Sequence, residues 1–110
     1  MTLHHPEREQ IRIDSVLSAL GSPLRLAVIR LLDGTGEHNC SSVLRTLSVP
    51  SKSTMTHHWR VLRESGVIRQ RPAGREHLLS LRREDLDARY PGLLDAVLSG
   101  VISDRALSAA

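Results

Sequence analysis

The chain has 110 residues, enough for one domain with one core, and a net charge of +3. It is 40% hydrophobic, but with one Trp, one Tyr and no Phe its core must be built from Leu, Val, Ile and Ala. No apolar run reaches the ~18 residues of a membrane span, the first residues lack a secretory apolar segment, and the single Cys40 excludes an internal disulfide or a multi-cysteine zinc site within one chain. These features lead to the expectation of a cytoplasmic protein.

Residues 1–7 read as a flexible tail. Over residues 8–20, Ile11, Ile13, Val16, Leu17 and Leu20 share a helical face that Gly21 ends. Ser22 and Pro23 then restart the chain as a cap and a first helical residue whose missing N–H costs nothing. Leu24, Ala27, Val28 and Leu31, widened by Leu26, Ile29 and Leu32, predict a helix apolar on most of its circumference and therefore central. Residues 33–36, Asp-Gly-Thr-Gly, close it in a turn. Ser41 or Ser42 is the expected cap of a short helix holding Val43, Leu44 and Leu47, which Ser-Val-Pro at 48–50 breaks.

Residues 51–66 carry the functional signal. Small hydroxyl residues open the stretch as caps, and Gly66 stands where a helix end needs it. Met55, Trp59 and Leu62, with Val61 beside them, fall four and three apart and form an apolar back. Lys52, Ser53, Thr54, Thr56, His57, Arg60 and Arg63 form a front of donors, acceptors and positive charge. Across residues 51–83, eight basic residues face two acids, and fourteen of the fifteen basic residues in the chain are Arg. Such a surplus around one helix points to nucleic acid.

Beyond Gly66, residues 67–71 and 75–81 predict two strands joined by a turn at 72–74, a wing over 68–81 that carries Arg71 and Arg75 near its tip. A lone hairpin is marginal in water, so it must lean on the helices. The expected fold is mainly α with a small β-hairpin, a winged helix-turn-helix. Residues 82–87 open a last helical region, interrupted at Tyr90, Pro91 and Gly92, before the apolar stripe of Leu93, Leu94, Val97, Leu98, Val101 and Ile102. This is more apolar surface than one small domain needs, which predicts a homodimer through the first and last helices, with Ile13, Val16, Leu17, Leu94, Val97, Leu98 and Val101 at the interface. Residues 8–102 are read as one DNA-binding and dimerisation domain, and residues 103–110 as a C-terminal tail.

Residues 20–26 (Leu-Gly-Ser-Pro-Leu-Arg-Leu), residues 51–66 and the wing sequence Arg-Pro-Ala-Gly-Arg at 71–75 together resemble the bacterial ArsR/SmtB family of transcriptional regulators. The resemblance covers about residues 10–98, and its second segment is the specific one. It implies a homodimeric winged helix whose outer helices form the interface, and a repressor that leaves its operator when an effector arrives. The chain departs from the metal-sensing members. Cys40 is flanked by Asn39, Ser41 and Ser42 instead of a second cysteine, and residues 84–102 contain no His. Zinc wants four ligands, which His4, His5, His38 and Cys40 could gather only across a dimer. No metal and no cofactor are therefore expected, the effector stays unidentified, and Cys40, with Glu37 nearby, reads as an inert thiol.

For DNA, Lys52, Ser53 and Thr54 at the helix N-terminus suit phosphate. Thr56, His57 and Arg60 suit base edges, with Arg60 the guanine reader. Arg63 is read as lying near the backbone or in solvent, His58 as a hydrogen-bonded structural residue, and Trp59 as core. Arg71 and Arg75 are expected to reach the minor groove or its phosphates, while Arg82 and Arg83 pair with Glu84 and Asp85. No catalytic motif occurs, and His57 and His58 point to different helix faces, so no enzymatic activity is expected. The alternative is a winged helix that binds protein without sequence-specific DNA contact.

Overall fold

The computed structural model describes residues 3–34, 36–49 and 52–109, the last four by backbone alone. After a single 3₁₀ turn at Arg8–Gln10 the elements are α1 (Ile13–Leu20), α2 (Pro23–Leu32), β1 (His38–Asn39), α3 (Cys40–Thr46), α4 (Lys52–Glu64), β2 (Ile68–Ala73), β3 (Glu76–Leu81), α5 (Arg83–Arg89) and α6 (Leu93–Ala109). Among the described residues no single helix is long and apolar enough to cross a membrane.

Local chemistry sets most of the boundaries. Ser22 caps α2, its Oγ accepting from the Arg25 N–H at 3.3 Å, with Pro23 in the first turn. The end of α4 is a Schellman motif. The Gly66 N–H donates to the Arg63 carbonyl and the Val67 N–H to the Leu62 carbonyl, while Gly66 takes φ +87°. A Cβ on Gly66 would lie 2.6 Å from Cγ1 of Ile11, so both the turn and the packing require glycine. The core gathers Val28, Ile29 and Leu32 of α2 with Val43, Met55, Leu62, Ile68, Leu79, Leu86 and Leu94, all buried. α2 is central as expected, although Leu24, Leu26 and Leu31 are only half-buried at its edge.

The sheet is antiparallel in the order β1–β3–β2. Ile68 stands opposite Leu81 and Ala73 opposite Glu76, which leaves Gly74 and Arg75 as a two-residue turn. Because β2 lies at an edge, Pro72 breaks no ladder on its outer side. The third strand departs from the expected two-stranded hairpin: His38 pairs with Leu79 and Asn39 with Leu78. The sheet gains the extra strand it needs for stability, and the strand leads directly into α3.

Several expectations are corrected. Residues 8–20 do not form one helix, because the backbone is extended at Ile11 and Arg12. There the Ile11 carbonyl accepts from Arg89 Nη2 at 2.5 Å and from the Tyr90 hydroxyl at 3.0 Å, and these distant partners outweigh local helical preference. The expected tail at 1–7 is tied down from Leu3 onward. The Gln70 N–H donates to His5 Nε2 at 3.0 Å, Arg82 Nη1 donates to the Pro6 carbonyl at 2.8 Å, and Pro6 is buried. Helix α6 continues through Ala109, into the segment read as a C-terminal tail. Asn39, not Ser41 or Ser42, caps α3, its Oδ1 accepting from the Ser42 N–H at 2.7 Å. Ser51, the expected first cap of α4, lies outside the described residues, as does Pro50 of the preceding break.

The expected interface residues divide by burial within the single chain. Val16 and Leu94 are fully buried and Leu98 is nearly so, all within this chain's own core. Val97 and Val101 are half-buried, whereas Ile13 and Leu17 are exposed, as is Ile102, which the expected set omitted. Arg82 pairs with Asp85 as expected, at 2.9 Å. Arg83 instead joins three elements, with Asp33 at 2.8 Å, Asp95 at 3.0 Å and Asp87 at 3.4 Å. It thereby fastens the end of α2 to α5 and α6.

Candidate nucleic-acid interface

α4 is amphipathic in the sense its spacing predicts. Met55, Trp59 and Leu62 are sealed into the core, and Lys52, Ser53, Thr54, Thr56, His57 and Arg60 are all exposed on the other side. Burial of the back holds the front outward, since rolling the helix would expose three large apolar side chains. The Thr56 hydroxyl donates back to the Lys52 carbonyl at 3.2 Å, which leaves its oxygen free to accept.

Two polar anchors fix the helix to its neighbours. Arg25 donates to His58 Nδ1 at 3.0 Å while its Nε donates to the Ala19 carbonyl at 2.6 Å, so one guanidinium joins α1, α2 and α4. His58 is held neutral by partial burial and then by the nearby Arg25 charge, both of which lower its pKa. At the other end Arg63 donates to Gln70 Oε1 at 2.7 Å, tying α4 to the wing. Arg63 is therefore neither a free surface charge nor spread along the helix front. Gln70 is almost buried, and its amide also meets His77 Nδ1 at 3.3 Å. Neither Gln70 nor Arg25 was a candidate from spacing alone. Arg25 stands inside the segment 20–26, but its role depends on a partner 33 residues away.

The wing divides the two arginines near its tip. Arg75 stands exposed in the turn beside Gly74. Arg71 is also exposed but engaged, with Nε 2.7 Å from Glu37 Oε2 and Nη2 2.8 Å from Oε1. The Arg71 hydrogen bonds draw the Glu37 carboxyl below its usual range. Burial first, and then the Glu76 charge, push the Cys40 thiol up to about 11, away from the reactive thiolate form. Among the described residues no group of three or more His, Cys, Asp or Glu could hold a metal.

Comparison with known proteins finds helix-turn-helix regulators. A family described as "Helix-turn-helix domain" matches residues 20–71, from the end of α1 into the wing. The uncharacterized HTH-type transcriptional regulator YceK of Bacillus subtilis (strain 168) is 33% identical over 90 residues, which span 81% of this chain and 88% of that protein. An uncharacterized HTH-type transcriptional regulator of Methanocaldococcus jannaschii is 29% identical over 59 residues, 54% of this chain and 65% of that one. Among solved structures, the crystal structure of an ArsR family transcriptional regulator superposes with a TM-score of 0.63 at 24% identity, covering 84% of this chain and 92% of that one.

Proposed function

Because the chain belongs to the helix-turn-helix transcriptional regulators and has an ArsR-type winged fold, we propose that it is a homodimeric repressor that reads a palindromic operator with α4 and steadies itself with the wing. DNA-binding regulation is the work of this family. Lys52, Ser53 and Thr54 take phosphates at the start of α4, and Thr56, His57 and Arg60 take base edges in the major groove. Arg75 reaches phosphate or the minor groove from the wing, and Arg71 joins it once released from Glu37. The second copy covers the apolar side chains left exposed, Ile13 and Leu17 of α1 and Ile102 of α6, so that two recognition helices face successive turns of the duplex.

The observation that carries this reading is the polarity of α4, sealed on Met55, Trp59 and Leu62 and open on Lys52, Thr56 and Arg60. Fluorescence anisotropy with labelled duplex from DNA flanking the gene, against a scrambled duplex, tests it. The expected result is binding at physiological salt at least about a thousandfold tighter to one flanking segment than to the scramble. Equal affinity for both at every salt concentration would replace operator reading with a plain interaction module.

A further inference from the structure

We propose that the cleft between α3, α4 and the hairpin is a binding site for a small carboxylic acid with an apolar body. The cleft encloses about 380 Å³, at the lower end of the ~300–1,000 Å³ typical of small-molecule sites. Its polar wall carries Lys52, Arg60, Arg63 and Arg75 against one carboxylate, Glu76. Among the described residues, Lys52, Arg60 and Arg75 have no hydrogen-bonded or ion-paired side-chain partner. Arg63 gives one N–H to Gln70, while its Nε is buried and has no acceptor.

Cations without an acid partner are best matched by a carboxylate, most strongly where a guanidinium offers paired N–H groups. The apolar lining of the cleft comes from Leu44 and the edge of Trp59, which is 7% exposed. A ligand that fits both halves is therefore charged at one end and apolar at the other. Inorganic phosphate matches only the first half, and a neutral aromatic only the second.

The site stands on these contacts alone, but its use as an effector site rests on the DNA-binding reading. Lys52, Arg60 and Arg75 are also the proposed DNA contacts, so a carboxylate held among them competes with the duplex. Binding of the acid would release the operator.

Trp59 is the only tryptophan in the chain, so its emission reports on the cleft without a label. Full-length protein is titrated with benzoate, with benzyl alcohol and with inorganic phosphate. The expected result is a saturating change with benzoate, and binding at least about tenfold weaker for the other two. Arg63→Met, and separately Arg75→Gln, should each weaken benzoate about tenfold, so the test survives if one variant fails to fold. No saturating change up to about 10 mM benzoate, where a ligand of ~1 mM affinity is mostly bound, would overturn the proposal. Phosphate matching benzoate would overturn it in favour of a groove for DNA backbone, and benzyl alcohol matching benzoate would remove the role of the cations. Duplex affinity is read separately by anisotropy. Loss of DNA binding with benzoate binding intact would sink only the effector role.

Discussion

Glu37 and Arg71 form a two-armed ion pair, at 2.7 and 2.8 Å, that ties the wing to the segment just before β1. The pair places an acid beside one of the two arginines near the wing tip, which must part from it before reaching a phosphate. Glu37→Gln should free Arg71, strengthen binding to any duplex and steepen its salt dependence by about one unit of slope. Salt titration of both proteins on one random duplex measures this. An unchanged slope would mean that Arg71 acts as a brace for the wing and never touches DNA.

Arg60 and Arg75 should differ in kind. Arg60→Ala is expected to cost ~1–3 kcal/mol on the cognate site and to flatten base preference, because a bidentate reader of guanine is lost. Arg75→Ala should weaken every duplex alike and lower the salt slope by about one. Competition binding against a panel of single-base operator variants separates the two. An Arg60→Ala protein that loses equally on operator and random DNA would remove Arg60 from base reading.

The acid limb of stability should depend on Asp85. Burial alone would raise its carboxyl, but hydrogen bonds from Arg8 at 2.7 Å and Arg82 at 2.9 Å outweigh burial and hold it below the ordinary aspartate range. A lowered folded-state pKa contributes stability that is full above the unfolded value and is lost as pH falls through the folded one. Melting temperature should therefore drop as pH goes below about 4. Asp85→Ala should cost ~3–5 kcal/mol at neutral pH, since Arg82 would stay buried without its counter-charge, and should show a shallower acid limb. Parallel pH curves for the two proteins would contradict this role.

Leu17→Asp tests the second copy. Leu17 is half exposed on α1, so the protomer should fold with it, whereas an apolar subunit interface should not form around a charge. Light scattering is expected to show a dimer for the parent chain and a monomer for the variant. A variant that stays dimeric would place the interface elsewhere.

Much of this architecture was legible in the residues. The four-and-three spacing of Met55, Trp59 and Leu62, the Ser22-Pro23 restart and Gly66 are local signals, and each produced the element it predicted. His58 and Trp59 likewise fell into the structural places their spacing gave them. What escaped is non-local. β1 is two residues long and has no period to detect, yet it completes the sheet. The break at Ile11 is set by Arg89 and Tyr90, some 78 positions away, and Arg71 finds Glu37 34 positions earlier. An apolar stripe also does not say which surface covers it. Val16, Leu94 and Leu98 are covered by this chain's own core, whereas Leu17 and Ile102 are left open.

Hydroxyl-radical footprinting of the protein on its tightest flanking duplex tests the central claim most directly. A pair of α4 helices held outward by a buried underside should protect two backbone patches centred one helical turn, ~34 Å, apart. A single patch, or protection that moves freely along the duplex, would contradict the account.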